Sequence, residues 1–190
     1  MTDAPTVTLR DLEAADRERL FEWRNRPDVA AWMYSDHAIT PAEHEAWFAA
    51  APADPRRRYW MIEVDGRPVG LANLADLSPT DRRTSWAYYL ADPSLRGKGV
   101  GAYVEFWVIE QVFGPMALNK LCCEVLAGNE AVWRLHESFG FVRESLLRQQ
   151  VWKQGQPLDV IGLGLLASDW VVRRPESARR LREKGYDVTG

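Results

Sequence analysis

The chain is poor in cysteine. Only Cys122 and Cys123 occur in 190 residues, side by side in a strand-like run. Neighbours on a strand point to opposite faces, so the pair builds neither a disulfide framework nor a metal site, and no metal is expected. Long apolar runs are also missing. None reaches the roughly 18 residues of a membrane span, and no signal-peptide pattern is present, which makes a cytoplasmic location the expectation. Charge of one sign is not in excess either: 24 Lys and Arg stand against 27 Asp and Glu, a net charge of −3. Nothing therefore draws the chain to nucleic acid or to a membrane surface. Internal repeats and low-complexity linkers are absent. What remains is an ordinary globular composition, 46% hydrophobic with nine tryptophans, read as one domain over residues 1–170 with a charged tail over 171–190.

The most informative stretch is Leu95-Arg96-Gly97-Lys98-Gly99-Val100-Gly101-Ala102. A strand-like segment, Thr84 to Leu90, precedes it, and a long apolar helical pattern, Val100 to Phe113, follows. Alternate glycines let a backbone approach a ligand and turn N–H groups into one concavity. The helix start adds free donors and a positive dipole end, and Arg96 and Lys98 add charge, so the loop suits a phosphate or diphosphate. A Walker-type loop is excluded, because Lys98 is followed by Gly99 rather than by Ser or Thr. A dinucleotide fingerprint is formally met by Gly97, Gly99 and Ala102, with Glu124 as the later acid, but Glu124 falls inside the next strand rather than at its end. The third reading is Arg96-x-x-Gly99-x-Gly101.

The rest of the chain gives an alternating pattern. Val7 to Leu12 reads as a strand and Asp16 to Asn25 as a helix. Thr40-Pro41-Ala42-Glu43 starts a second helix with a capping box and proline at its first position. Arg58 to Val64 and Val69 to Leu74 form a hairpin across Asp65-Gly66. Lys120 to Leu126 is a further strand, and Asn129 caps a helix that Gly140 stops. Phe141 to Lys153 and Leu158 to Ala167 make a second hairpin across Gly155. From Arg173 the tail reads as a helix or a disordered end without chemistry. The result is an α/β (α+β) class: a mixed, mainly antiparallel sheet of about seven strands with helices on both faces and one parallel step across the glycine loop.

This order of elements resembles the GCN5-related N-acetyltransferase (GNAT) superfamily. So do Arg96-x-x-Gly99-x-Gly101 and the later Asn129-Glu130-Ala131…Leu135-His136-Glu137-x-Phe139-Gly140-Phe141. The resemblance spans about residues 6 to 168. It implies acetyl-CoA as donor, with CoA as product. It also implies a cofactor site made of Tyr89, Leu90, Arg96, Gly97, Lys98, Gly99, Val100, Gly101, Ala102 and Asn129. In that superfamily the strand before the loop, here Trp86 to Leu90, is bulged.

Phe21-Glu22-Trp23-Arg24-Asn25, Ala31-Trp32-Met33-Tyr34-Ser35 and His44-x-x-Trp47 are similar to the pseudaminic-acid-pathway acetyltransferases (the PseH family). This implies a UDP-linked 4-amino-4,6-dideoxy sugar as acceptor, held by Arg24, Met33, Tyr34, His44, Trp47 and Tyr88, and it allows a homodimer. Arg24 offers a planar fork suited to a diphosphate. Met33, Tyr34 and Trp47 can form a slot for a base, with His44 as a second donor, unless they are simply core. Where many relatives carry a tyrosine as the acid that protonates the leaving thiolate, this chain has His136, an imidazole that can serve or can merely pack. Glu124, a carboxylate among apolar strand neighbours, is either a base for the acceptor amine or the partner of an arginine. Ribosomal-protein N-terminal acetylation, a non-catalytic acyl-CoA-binding module and a nicotinamide-dependent enzyme stay as alternatives.

Overall fold

The computed structural model describes residues 4–188. β1 (Val7–Asp11) leads into α1 (Arg17–Asn25), the short α2 (Pro27–Ala30) and α3 (Pro41–Ala50). The chain continues through β2 (Arg58–Val64), β3 (Arg67–Ser78), β4 (Arg83–Leu90), α4 (Val100–Phe113) and β5 (Lys120–Leu126). It ends with α5 (Glu130–Phe139), β6 (Val142–Lys153), β7 (Gln156–Leu166) and α6 (Ala167–Glu183). All seven strands form one sheet, ordered β1-β2-β3-β4-β5-β7-β6. Only β4 and β5 run parallel, as the crossover through the glycine loop requires.

The sheet is covered on both faces. Within β2, Trp60, Ile62 and Val64 join a large core with Val104, Val108 and Val112 of α4. Met61, between them, turns to the other face and packs with Leu20 of α1 and Leu71 of β3. That alternation explains why a strand of nearly continuous apolar residues is needed here. Both hairpins close on two-residue turns with left-handed backbones, Asp65-Gly66 (φ 50° and 71°) and Gln154-Gly155 (φ 50° and 73°), the geometry that matches strand twist.

Two expectations fail. No register irregularity lies within Trp86–Leu90; the shift between β3 and β4 falls at Ala75/Ser78. What distinguishes that segment is separation instead. β4 pairs with β5 only from Arg83↔Lys120 to Ser85↔Cys122, and beyond Ser85 the two strands splay apart. The tail takes the helical one of its two readings, but it is not a separate charged appendage. A boundary at residue 170 would cut α6, whose Trp170, Ala178 and Leu181 are buried, as are Tyr186 and Val188 beyond it. Among the described residues, no helix is long and apolar enough to cross a membrane.

Candidate active site

The splay of β4 and β5 opens a cleft of about 1110 Å³. That lies just above the roughly 300–1,000 Å³ typical of a small-molecule site. One end is walled by the glycine loop, the other by α1, the α2–α3 segment and α3.

At the loop end, Gly97 and Gly99 take left-handed backbones (φ 77° and 85°), and Gly99 is the N-cap of α4 with no side chain capping it. Tyr103 makes the first helical bond, its N–H donating to the Gly99 carbonyl at 3.0 Å. The N–H groups of Val100, Gly101 and Ala102 thus have no intrahelical acceptor. Gly101 permits close packing as well: a Cβ there would fall 2.7 Å from the Tyr88 hydroxyl oxygen. Tyr89, Leu90, Arg96, Gly97, Gly99, Gly101, Ala102 and Asn129 all line the cleft. Lys98 and Val100 do not. Val100 is fully buried in the core, so only its backbone can serve a ligand, and Lys98 offers its carbonyl to Tyr186 at 2.8 Å. Asn129 is the N-cap of α5, yet its side chain makes no capping bond.

His136 lines the middle of the cleft on α5. It is buried at 3% exposure, and its Nδ1 lies 2.9 Å from Oε1 of Glu105, which is fully buried on α4. The ring meets Trp86 edge-on at 5.4 Å and Phe141 at 5.4 Å. With Nδ1 engaged, Nε2 is the nitrogen left for a ligand. Burial raises the Glu105 carboxyl above its ordinary range, opposed by His136. The second carboxyl oxygen, Oε2, is buried without a partner, as is the indole N–H of Trp86.

Glu124, on β5, is neither paired with an arginine nor isolated: it accepts from the Tyr34 hydroxyl at 2.7 Å. Burial and the neighbouring carboxylate push the Tyr34 phenol up, so it stays a donor. Arg24 is partly buried and lines the cleft. Burial lowers its pKa, opposed by Tyr89. Its one hydrogen bond is a long 3.4 Å contact to Ser35 Oγ, and among the described residues no carboxylate pairs with it. The hydroxyl of Tyr89 is likewise buried without a partner. Met33 lines the same end.

His44 departs from the expected donor role. Its Nε2 donates to the Arg17 carbonyl at 2.7 Å, and the ring packs against Phe21, Trp47 and Phe48. In a neutral ring Nδ1 is then an acceptor, so this histidine fastens α3 to α1 rather than offering a proton to an anion. Trp47 similarly donates its indole N–H to the Tyr59 hydroxyl at 3.2 Å and packs in the smaller core, although both residues border the cleft.

The Acetyltransferase (GNAT) domain family matches residues 6–142. The chain belongs to the GNAT acetyltransferases. It is 26% identical over 173 residues to the putative ribosomal N-acetyltransferase YdaF of Bacillus subtilis, covering 86% of this chain and 93% of that protein. It is 25% identical over 131 residues to the acetyltransferase PseH of Campylobacter jejuni, covering 69% and 80%. The crystal structure of spermidine N-acetyltransferase from Vibrio cholerae in complex with CoA and spermine superposes with a TM-score of 0.81 at 22% identity, over 87% of this chain and 98% of that one. This GNAT enzyme thus transfers an acetyl group from acetyl-CoA to an amine. The loop end fits that donor: free N–H groups, Arg96 and a helix N-terminus meet the chemistry of a diphosphate.

Two parts of the site escape sequence reasoning. Glu105 had a signal, an acid set among apolar residues in a mostly apolar helix. Lys184, which lines the cleft beside Gly99, had none, because only the return of the chain after α6 brings it there.

Proposed function

We propose that this acetyltransferase acts on the amine of an anionic acceptor, a nucleotide-linked amino sugar of the UDP-4-amino-4,6-dideoxy-N-acetyl-β-L-altrosamine type used for pseudaminic acid. Arg24 carries the reading. A half-buried guanidinium without a carboxylate, beside a buried hydroxyl without an acceptor, needs a ligand that brings oxygens and negative charge. A polyamine would bring ammonium groups instead. The cleft's carboxylates do not invite one: Glu43 is engaged in the α3 cap and Asp28 with Arg26. Only Glu124 is left, and it holds Tyr34.

In the reaction the thioester supplies an activated acyl group, and both substrates are bound together for direct transfer. Glu124 Oε receives the amine proton, directly or through water. An amino-sugar amine is less basic than an alkylamine, so a weak base suffices. His136 holds a proton at Nε2 for the departing thiolate, and Glu105 fixes the ring by its bond to Nδ1. The kinship with YdaF supports a second reading, a protein N-terminus as acceptor.

The test is thiol release with UDP-amino sugars, spermidine and short peptides, for wild type and Arg24→Ala. The expected result is turnover of a UDP-amino sugar, competition by UDP, and a KM for that acceptor raised by about 30-fold in the variant, the loss of one charge-assisted contact. The KM for acetyl-CoA stays within about twofold on that scale. Equal shifts in both constants, or turnover of spermidine or peptide alone, overturns the reading.

A further inference from the structure

The segment after α6 has no role in the chemistry above, yet it touches the glycine loop. Gly185, with φ 88°, turns the chain back on itself, and Tyr186 N–H donates to the Leu181 carbonyl at 3.1 Å. Tyr186 is then buried at 4% exposure. Its hydroxyl donates to the Lys98 carbonyl at 2.8 Å, and its ring stacks on Tyr103 of α4 at 5.1 Å. One residue thereby grips the loop and the first turn of the helix that follows it. A Cβ on Gly99 would fall 3.0 Å from the Tyr186 ring and 3.2 Å from Cδ of Lys184. Glycine at 99 is required by this returning segment as well as by its own left-handed backbone.

Lys184 lines the cleft at this point. It has no ion pair or hydrogen bond from its ammonium among the described residues, whereas the adjacent Glu183 is paired with Arg179. The aliphatic stem of Lys184 lies against the N-cap of α4, where N–H groups have no intrahelical acceptor, and Arg96 lines the same cleft.

We propose that the C-terminal segment is a wall of the donor site, with Lys184 contacting the diphosphate of CoA and Tyr186 holding the loop in its binding conformation. The proposal rests on the donor, not on the acceptor reading above, and leaves that reading untouched if it fails.

Calorimetric titration of the full chain with CoA and with dephospho-CoA tests it. Lys184 is exposed, so Lys184→Met folds as wild type does, and thermal melting verifies this. Both ligands should bind roughly 3- to 10-fold more weakly. The deficit should shrink at high salt, and Lys184→Arg should restore most of the affinity. Tyr186→Phe keeps the ring and deletes the bond to Lys98. It should weaken CoA binding and speed amide exchange over residues 96–102. Unchanged CoA affinity in folded Lys184→Met overturns the proposal. A loss confined to CoA, with dephospho-CoA binding unaltered, overturns the diphosphate assignment in favour of the 3′-phosphate.

Discussion

A carboxylate as buried as Glu105 carries a desolvation cost of several kcal/mol unless its charge is met. His136 meets it at 2.9 Å, while Oε2 stays without a partner. A pair held only for packing and a pair held to deliver a proton differ in what its removal does. His136→Phe leaves Glu105 alone, and breaking a buried pair from one side costs about 3–5 kcal/mol. The loss depends on pH with a definite sign. Burial already raises Glu105 above its ordinary 4.5, and His136 is what opposes that rise. In the variant the folded state holds the carboxyl proton more tightly than the unfolded state does. The stability of His136→Phe is therefore retained below about pH 4.5 and falls as pH climbs through the raised value. Adding Glu105→Leu removes the stranded charge and should recover most of the melting temperature at pH 8. Turnover should not recover: kcat stays down by roughly 10²-fold in both variants, with KM values little changed. If the double variant regains activity along with stability, His136 packs and does not donate.

At the scale of elements, α3 shows how local chemistry sets a cleft wall. Thr40 N–H and its hydroxyl both donate to Glu43 Oε2 at 2.8 Å, and Glu43 N–H donates to Thr40 Oγ1 at 3.3 Å. The backbone bond to Thr40 is the largest cause pulling the Glu43 carboxyl down to about 2. A lowered acid stabilises the fold above its unfolded value and loses that effect as pH falls, here between about 4.5 and about 2. Thr40→Ala should cost about 1 kcal/mol in urea unfolding at pH 7, and the difference should narrow below pH 3. A difference that stays constant with pH would show that the Thr40 hydroxyl contributes nothing to the Glu43 carboxylate, because the backbone N–H bond to Glu43 remains in the variant. This box, the two hairpin turns and the apolar stripe of α4 were legible because each is a short-range pattern. β2, α4 and β5 begin and end at the residues the sequence implies. α6 was not legible. Its buried Trp170, Ala178 and Leu181 are spread through a charged run interrupted by Pro175, and the stripe has meaning only against α4 and α5. The site divides the same way. Arg96, the loop glycines and His136 sit in contiguous motifs. Glu105, Lys184 and the buried bond of His44 depend on which distant element each side chain meets.

Across the whole molecule, the end of the cleft away from the glycine loop is held by chain that is far away in sequence. Lys153, at the tip of the second hairpin, donates through Nζ to the carbonyls of Ala30 at 2.7 Å, Met33 at 2.6 Å and Ser35 at 3.1 Å. Its three donors meet three carbonyls, of which, among the described residues, only that of Ala30 also accepts a backbone bond, from Met33 N–H at 3.1 Å. Gln154 N–H adds a bond to Asp36 at 2.8 Å, and Tyr34 reaches Glu124 on β5. The segment between α2 and α3 has no regular structure of its own, so these contacts set its position. It carries Met33 and Tyr34 and supplies Ser35 to Arg24. Lys153→Met keeps the length of the side chain and removes all three donors. The expected outcome is a KM for the acceptor raised by about tenfold, on the scale of one lost charge-assisted bond, with calorimetric affinity for CoA unchanged. Amide exchange should accelerate over residues 30–36 and stay slow over 96–102. The opposite pattern, weakened CoA binding with the acceptor constant intact, would mean that the hairpin supports the donor end and that the two ends are not positioned independently.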